Sequence, residues 1–164
     1  MDQKTNQPLR KTTLAYLIKN NKVLLAMKKR GFGQGKLNGL GGKVEEDKGE
    51  NIEQALIRET IEEIGVKPLS YERKAVLKFF FPEVPAGQDW NQEVYVYLIH
   101  KWKGEPQESE EMKPYWMPLT KLPYQRMWAD DPHWLPYVLE GKNVKGKFSF
   151  DAKGAVIDYK VKIL

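Results

Sequence analysis

Arg58-Glu59-Thr60-Ile61-Glu62-Glu63-Ile64-Gly65-Val66 places three glutamates within five positions. A helix turns about 100° per residue, so Glu62 lies about 60° to one side of Glu59 and Glu63 about 40° to the other. All three carboxylates then share roughly a 100° sector of one helix face. Leu56, Ile57, Thr60, Ile61 and Ile64 form a neighbouring apolar arc that would seat the helix on a core. Like charges at these spacings cost a helix a few tenths of a kcal/mol per pair. A hard divalent cation with oxygen ligands offsets that cost. The competing reading is a solvated acidic face, but no lysines are mixed into this sector. Arg58, at the sector's edge, can pair with and orient a carboxylate.

Working outward, Asn51 and Gln54 have the spacing of a capping box, and Gly65 is a natural stop. The helix is therefore predicted from Asn51 to about Ile64. Upstream, residues 12–18 and 23–27 read as two strands around Lys19-Asn20-Asn21-Lys22. A glycine-rich loop at 31–42 then runs into a short strand. Downstream, residues 71–81 and 93–102 have the aromatic and β-branched content of strands. The segment 82–91 between them reads as a loop, and 112–117 as a further short strand. A second helix is predicted at Asp131-Pro132, with Asp131 as cap, Pro132 in the first position and Gly141 at the end. Residues 145–150 and 155–163 form a closing hairpin, with Ile157, Tyr159, Val161 and Ile163 alternating with polar residues in a half-buried pattern. The expected architecture is α+β: one domain over residues 1–164, a mixed sheet flanked by two main helices, with a flexible segment at 1–11.

The chain has no cysteine, which excludes disulfides, thiolate metal sites and cysteine nucleophiles. No signal peptide, mitochondrial presequence or membrane-length apolar run is evident, so a cytoplasmic protein is expected. A net charge of +5 favours phosphate-rich partners without arguing for a nucleic-acid polymer. Lys28-Lys29-Arg30 is the densest basic cluster. It is either a solvated strand end or a phosphate-steering patch.

Together with Gly41-Gly42-Lys43-Val44 and Glu50, the acidic stretch resembles the Nudix box, Gly-x5-Glu-x7-Arg-Glu-x-x-Glu-Glu-x-Gly-x. Two residues are inserted between Gly42 and Glu50, and Thr60 replaces the usual aliphatic residue. Met27-Lys28-Lys29-Arg30-Gly31-Phe32-Gly33, Asn38-Gly39, Glu108-Ser109-Glu110-Glu111-Met112 and Met127-Trp128-Ala129-Asp130-Asp131 are similar to one Nudix branch, the animal-type MutT homologues. The similarity runs from about residue 12 to the C-terminus.

That resemblance implies an α/β/α Nudix sandwich. It also implies a Mg²⁺-dependent hydrolase, with Mn²⁺ as a substitute. The implied reaction converts oxidised purine nucleoside triphosphates such as 8-oxo-dGTP and 2-oxo-dATP to monophosphate and pyrophosphate, sanitising the nucleotide pool. Glu59, Glu62, Glu63 and Glu111, with Gly42, would form the metal site. One of Glu59 and Glu63 would contact the attacking water, and Arg58 would hold loop and helix together. Asn38 would bond the purine, Asp130 and Asp131 would read its Watson–Crick edge, and Trp128 would stack on it. Thr13 and Phe32 would line the pocket, and Lys28 would lie near the sugar or the pocket wall.

Each residue also has a local alternative. Asp131 can be a helix cap, Trp128 a core residue, Phe32 a loop anchor, Asn38 a turn residue and Glu111 one acid of a solvated run. Asp130 has no such local task on this reading. Two carboxylates at one base cannot both ionise cheaply, so one is expected to hold a proton and act as donor. Leu37 and Leu40 stand where the branch has aromatic residues, so a less aromatic pocket rim is expected. The substrate expected is a purine nucleoside triphosphate, with no polymer or membrane partner and a monomer as the default. Competing readings are a Nudix hydrolase of canonical or methylated purine nucleotides or dinucleotide polyphosphates, and a nucleotide-binding module without catalysis.

Overall fold

Asn51 and Gln54 cap each other reciprocally. Asn51 Oδ1 accepts from the Gln54 N–H at 2.8 Å, and Gln54 Oε1 accepts from the Asn51 N–H at 2.9 Å. From this cap helix α1 runs Ile52–Ile64, and Gly65 ends it in the left-handed conformation at φ 72°. The computed structural model describes residues 9–31, 33–85 and 90–164. The strands are β1 Arg10–Lys19, β2 Lys22–Lys28, β3 Leu37–Asn38, β4 Lys67–Phe80, β5 Gln92–Lys103, β6 Met112–Pro118, β7 Val144–Phe150 and β8 Val156–Ile163, with helix α2 at Asp131–Leu139.

All eight strands join one mixed sheet in the order β3-β2-β1-β5-β4-β7-β8, with β6 paired to β2. The β1–β5 and β4–β7 pairs are parallel and the remaining pairs antiparallel. One core, including Leu14, Tyr16, Val96 and Phe148, packs under Trp134, Leu135 and Val138 of α2. The other, including Ala15, Leu17, Leu24 and Tyr97, packs under Leu56 and Ile64 of α1. Alternate residues of β1 thus serve opposite faces, as a strand's two-residue period requires. The sheet with a helix on each side is the expected α/β/α sandwich.

The β1–β2 hairpin turns through Asn20 and Asn21, both at positive φ (52° and 62°), as a two-residue turn of this hand requires. The two strands pair only next to that turn, at Ile18–Val23 and Lys19–Lys22. Beyond it they splay, and residues 37–43 fill the gap. Asn38 pairs with Ala26 on one side, while Leu40 pairs with Ala15 and Lys43 with Thr12 on the other. A Cβ on Gly39 would lie 2.8 Å from both the Ala15 carbonyl oxygen and the Tyr16 ring, and one on Gly41 only 1.8 Å from the Thr13 carbonyl oxygen. Only glycine fits this insertion.

Several expectations change. β1 begins at Arg10, so Arg10 and Lys11 belong to the sheet rather than to a flexible segment; residues 1–8 lie outside the described part. β4 begins at Lys67, not residue 71, with its irregular register at Pro68–Tyr71 absorbing the proline. Asp130, not Asp131, occupies the N-cap position of α2, and no side-chain cap bond forms. Ile61 is exposed while Glu63 is buried, so the apolar arc of α1 is rotated from the expected one. The half-buried face of β8 is largely exposed, because β8 is the sheet's edge and α2 reaches only part of it.

Candidate active site

Arg58 organises the acidic face of α1. Its Nε and Nη2 donate to the two carboxylate oxygens of Glu50 at 2.7 and 2.9 Å, and Nη2 also donates to the Lys43 carbonyl at 3.0 Å. Its Nη1 donates to Glu59 at 3.0 Å and Glu62 at 3.2 Å. The hydrogen bond from Arg58 holds the Glu50 carboxyl below its usual range. Glu50 in turn accepts from the Glu45 N–H at 2.9 Å. Glu50 is thus a loop anchor. The two inserted residues are taken up by a short 3-10 turn at Glu46–Lys48 and by Gly49 in the left-handed conformation. Thr60 is buried and donates its hydroxyl to the Leu56 carbonyl at 2.7 Å, which explains a polar residue in an apolar place.

The glutamates do not share one environment. Glu62 is exposed and tied to Arg58. Glu63 is 3% exposed. Its Oε1 accepts from the Gly41 N–H at 3.1 Å, while its Oε2 is buried without a protein partner. Burial pushes the Glu63 carboxyl up to about 9, with the charges of Glu59 and Glu111 adding to the rise. Burial also raises Glu59, against the opposing pull of Arg58. A Cβ on Gly42 would fall 2.5 Å from Glu59 Oε1, so Glu59 lies directly on that backbone.

Glu111 is exposed beside Arg30 at 3.6 Å, near enough to Glu63 to affect its proton. Among the described residues no three His, Asp or Glu side chains are gathered closely enough to cage an ion. Glu59 and Glu63 interact directly, and Glu111 is near enough to act on Glu63. The donor set still suits a hard cation. It is all oxygen, doubly acidic, and holds an orphaned buried oxygen on Glu63.

On the other face of the sheet lies a cavity of about 310 Å³. Thr13, Lys28, Asn38, Trp128, Asp130 and Asp131 all line it, as does Gly42. Phe32 lies outside the described residues. Asn38 Oδ1 accepts from the Gly39 N–H at 2.8 Å, with the Tyr16 hydroxyl at 3.5 Å. Trp128 packs on Gly33, and Lys36 Nζ lies 5.2 Å from the centroid of its ring.

Asp130 does have a local task, since its Oδ2 accepts from the Trp134 indole N–H at 2.8 Å. Asp131 Oδ2 is buried with no protein partner. Burial lifts Asp130 to about 6, against the Trp134 bond. Burial, then the charge of Asp130, lifts Asp131 well above the carboxylate range. Both carboxyls are raised, Asp131 the further, so the pair favours holding a proton over carrying two charges.

Leu37 and Leu40 are fully buried in opposite cores and line no part of the cavity, so they do not set its rim. The aromatic wall comes instead from Phe79, Phe81 and Phe150, with Phe81 and Phe150 stacked at 5.0 Å. These three escaped attention because strand aromatics look like ordinary core. The basic cluster divides. Lys28 faces the cavity, whereas Lys29 pairs with Glu108 at 2.6 Å and Arg30 with Glu110 and Glu111.

The Gly41–Gly42 backbone joins the two places. The Gly42 carbonyl accepts from the Thr13 N–H at 2.9 Å on the sheet, and the Gly41 N–H donates to Glu63.

Residues 8–138 match the NUDIX domain family. The chain is 40% identical over 149 residues to the oxidized purine nucleoside triphosphate hydrolase of Danio rerio, covering 91% of this chain and 92% of that one. It is 37% identical over 150 residues to the protein of the same description from Mus musculus, covering 92% of each. Among solved structures, a MutT protein from Bacillus halodurans superimposes with a TM-score of 0.80 at 24% identity, over 94% of this chain and 98% of that one, a likeness of fold.

Proposed function

The chain belongs to the NUDIX family, and from that premise we propose that it hydrolyses oxidised purine nucleoside triphosphates, such as 8-oxo-dGTP and 2-oxo-dATP, to monophosphate and pyrophosphate. The observation that carries the substrate class is the buried, unpartnered Asp131 Oδ2 in the cavity wall beside Asp130. An orphaned buried carboxyl is costly, and a ligand that bonds it recovers that cost. A protonated Asp131 donates to a ring nitrogen or carbonyl, and Asp130 accepts from an N–H. The Asn38 amide adds a donor, and Trp128 supplies a ring face. Lys28 and Lys43, also on the cavity wall, offset phosphate charge.

The cation proposed is Mg²⁺, with Mn²⁺ as substitute, held by Glu59 and Glu63 with Glu62, Glu111 and Gly42 at its margin. When bound it supplies charge neutralisation to the polyphosphate and acidifies water. The chain's own part is to aim these groups. Arg58 fixes Glu59 through Glu50 and the Lys43 carbonyl, and the Gly41 N–H fixes Glu63. Glu59 or Glu63 takes the proton of the attacking water. Arg58 is a positioning residue, since its donors are spent on the protein.

On this reading one domain acts as a cytoplasmic monomer on a nucleotide, without a polymer or membrane partner. Among the described residues no helix is long and apolar enough to cross a membrane. The test is steady-state hydrolysis of 8-oxo-dGTP, 2-oxo-dATP, dGTP and dATP with Mg²⁺, following monophosphate and pyrophosphate. Preference for the oxidised pair is expected. Equal rates on all four would overturn the substrate assignment, and no release from any would overturn the reaction.

A further inference from the structure

The cavity has a second polar pole that the reading above leaves unused. It lies where β1 and β5 run parallel, in the register Arg10–Gln92 and Thr12–Val94. Arg10, Thr12 and Gln92 line the cavity there, among Phe79, Phe81, Val94 and Phe150. Thr12 donates its hydroxyl to Gln92 Oε1 at 3.2 Å, and Gln92 Nε2 donates to the Trp90 carbonyl at 3.3 Å. The amide of Gln92 is thereby held in place. Arg10 Nε is buried and meets no acceptor of the protein, and among the described residues Arg10 forms no ion pair.

A buried donor without an acceptor carries a desolvation cost that an arriving oxygen removes. Among the described residues at this pole, the side chains of Phe79, Phe81, Val94 and Phe150 offer no acceptor, so a ligand atom is the natural source of that oxygen. At about 310 Å³ the cavity is at the small end of ligand sites. A base held at one end by Asp130 and Asp131 therefore extends toward the other.

We propose that Arg10, at the cavity pole it shares with Thr12 and Gln92, is a specificity-determining residue that donates to the C8 oxygen of an 8-oxopurine while Asp130 and Asp131 hold the opposite edge. The inference rests on the proposed substrate class. An unmodified purine presents C8–H at this place and leaves Arg10 Nε unpaired, so discrimination arises from the donor rather than from the size of the cavity. An oxygen at C2 lies elsewhere on the ring and takes no part in this contact.

The test compares wild type with Arg10→Met and Arg10→Lys, each checked by thermal melting. It measures kcat/KM for 8-oxo-dGTP, 2-oxo-dATP and dGTP, and metal-free binding of 8-oxo-dGMP and dGMP by calorimetry. Arg10→Met is expected to lower the 8-oxo-dGTP to dGTP ratio on the order of tenfold, and the 8-oxo-dGTP to 2-oxo-dATP ratio with it. The 8-oxo-dGMP to dGMP binding ratio should fall in parallel. Arg10→Lys keeps the charge and a donor on a shorter reach and stands in if Arg10→Met does not fold, with a ratio between those of Arg10→Met and wild type expected. An unchanged ratio in Arg10→Met, or an unchanged 8-oxo-dGMP to dGMP binding ratio in both variants, overturns the proposal while leaving the wild-type preference intact. A wild type without oxidised-purine preference overturns both it and the broader reading.

Discussion

Two buried carboxyl pairs lie on opposite faces of the same sheet, and their neighbours set them apart. Glu59 and Glu63 stand one helical turn apart on α1, with a guanidinium on Glu59 and a backbone N–H on Glu63. Asp130 and Asp131 are chain neighbours at the start of α2, with an indole N–H on Asp130. Burial raises all four. The glutamates keep charge within reach through Arg58, and excess negative charge is what a cation takes. The aspartates have no guanidinium, and a shared proton lets them act as one donor and one acceptor. The same residue chemistry thus becomes a proposed metal site or a proposed base reader according to whether a guanidinium stands beside it.

The comparison breaks most plainly at Glu63. Glu63→Gln should lower pyrophosphate release on the order of 10³-fold, while metal-free binding of 8-oxo-dGMP by calorimetry stays as in wild type. Loss of both would mean that the two faces are not separable. Asp131→Asn should do the reverse. We expect about a 100-fold loss in kcat/KM for oxidised purines, with Mg²⁺ affinity, measured by titration, unchanged. In the pH profile of wild type, Asp130 at about 6 should give an inflection near that pH that Asp130→Asn removes.

A smaller effect is expected in the metal-free protein. Glu63 has its folded value raised to about 9, so the stability it contributes is present below the unfolded carboxyl value and lost as pH rises toward 9. Tm in EDTA should fall between pH 5 and about 9, and Mg²⁺ should restore it most at the alkaline end. An equal Mg²⁺ shift at every pH would argue against Glu63 as a ligand. The smallest change concerns Lys29, whose partner Glu108 is partly exposed. Lys29→Ala should leave the denaturant midpoint close to that of wild type, with rates unchanged, if the basic cluster divides as described.

The two sites were unequally legible in the sequence. The α1 site is local. Asn51, Gln54, Arg58, the glutamates and Gly65 lie within one helix and its ends, where spacing translates directly into geometry. Even so, spacing alone treated Glu62 and Glu63 alike, because burial of Glu63 depends on how α1 seats on the sheet and meets the Gly41 backbone. The cavity draws on all of β1 to β7 and the start of α2. Family resemblance found Asn38, Trp128, Asp130 and Asp131. It did not find Arg10 and Gln92, which meet only through a parallel register across more than eighty residues. Leu37 and Leu40 misled for the same reason. Their neighbours in sequence touch the cavity, but strand alternation turns them into the cores. The expectation that Asp131 caps α2 followed from Pro132, which tolerates the second helical position as well as the first.

The inserted segment at residues 37–43 acts as a ruler. Its glycines are fixed against β1 on one side and against Glu59 and Glu63 on the other, with no room for a Cβ at Gly41 or Gly42. Backbone, not side chain, thereby sets the separation between whatever fills the cavity and the carboxylates. Changes to the cavity wall should alter which base is accepted and leave unaltered which phosphate bond is cut.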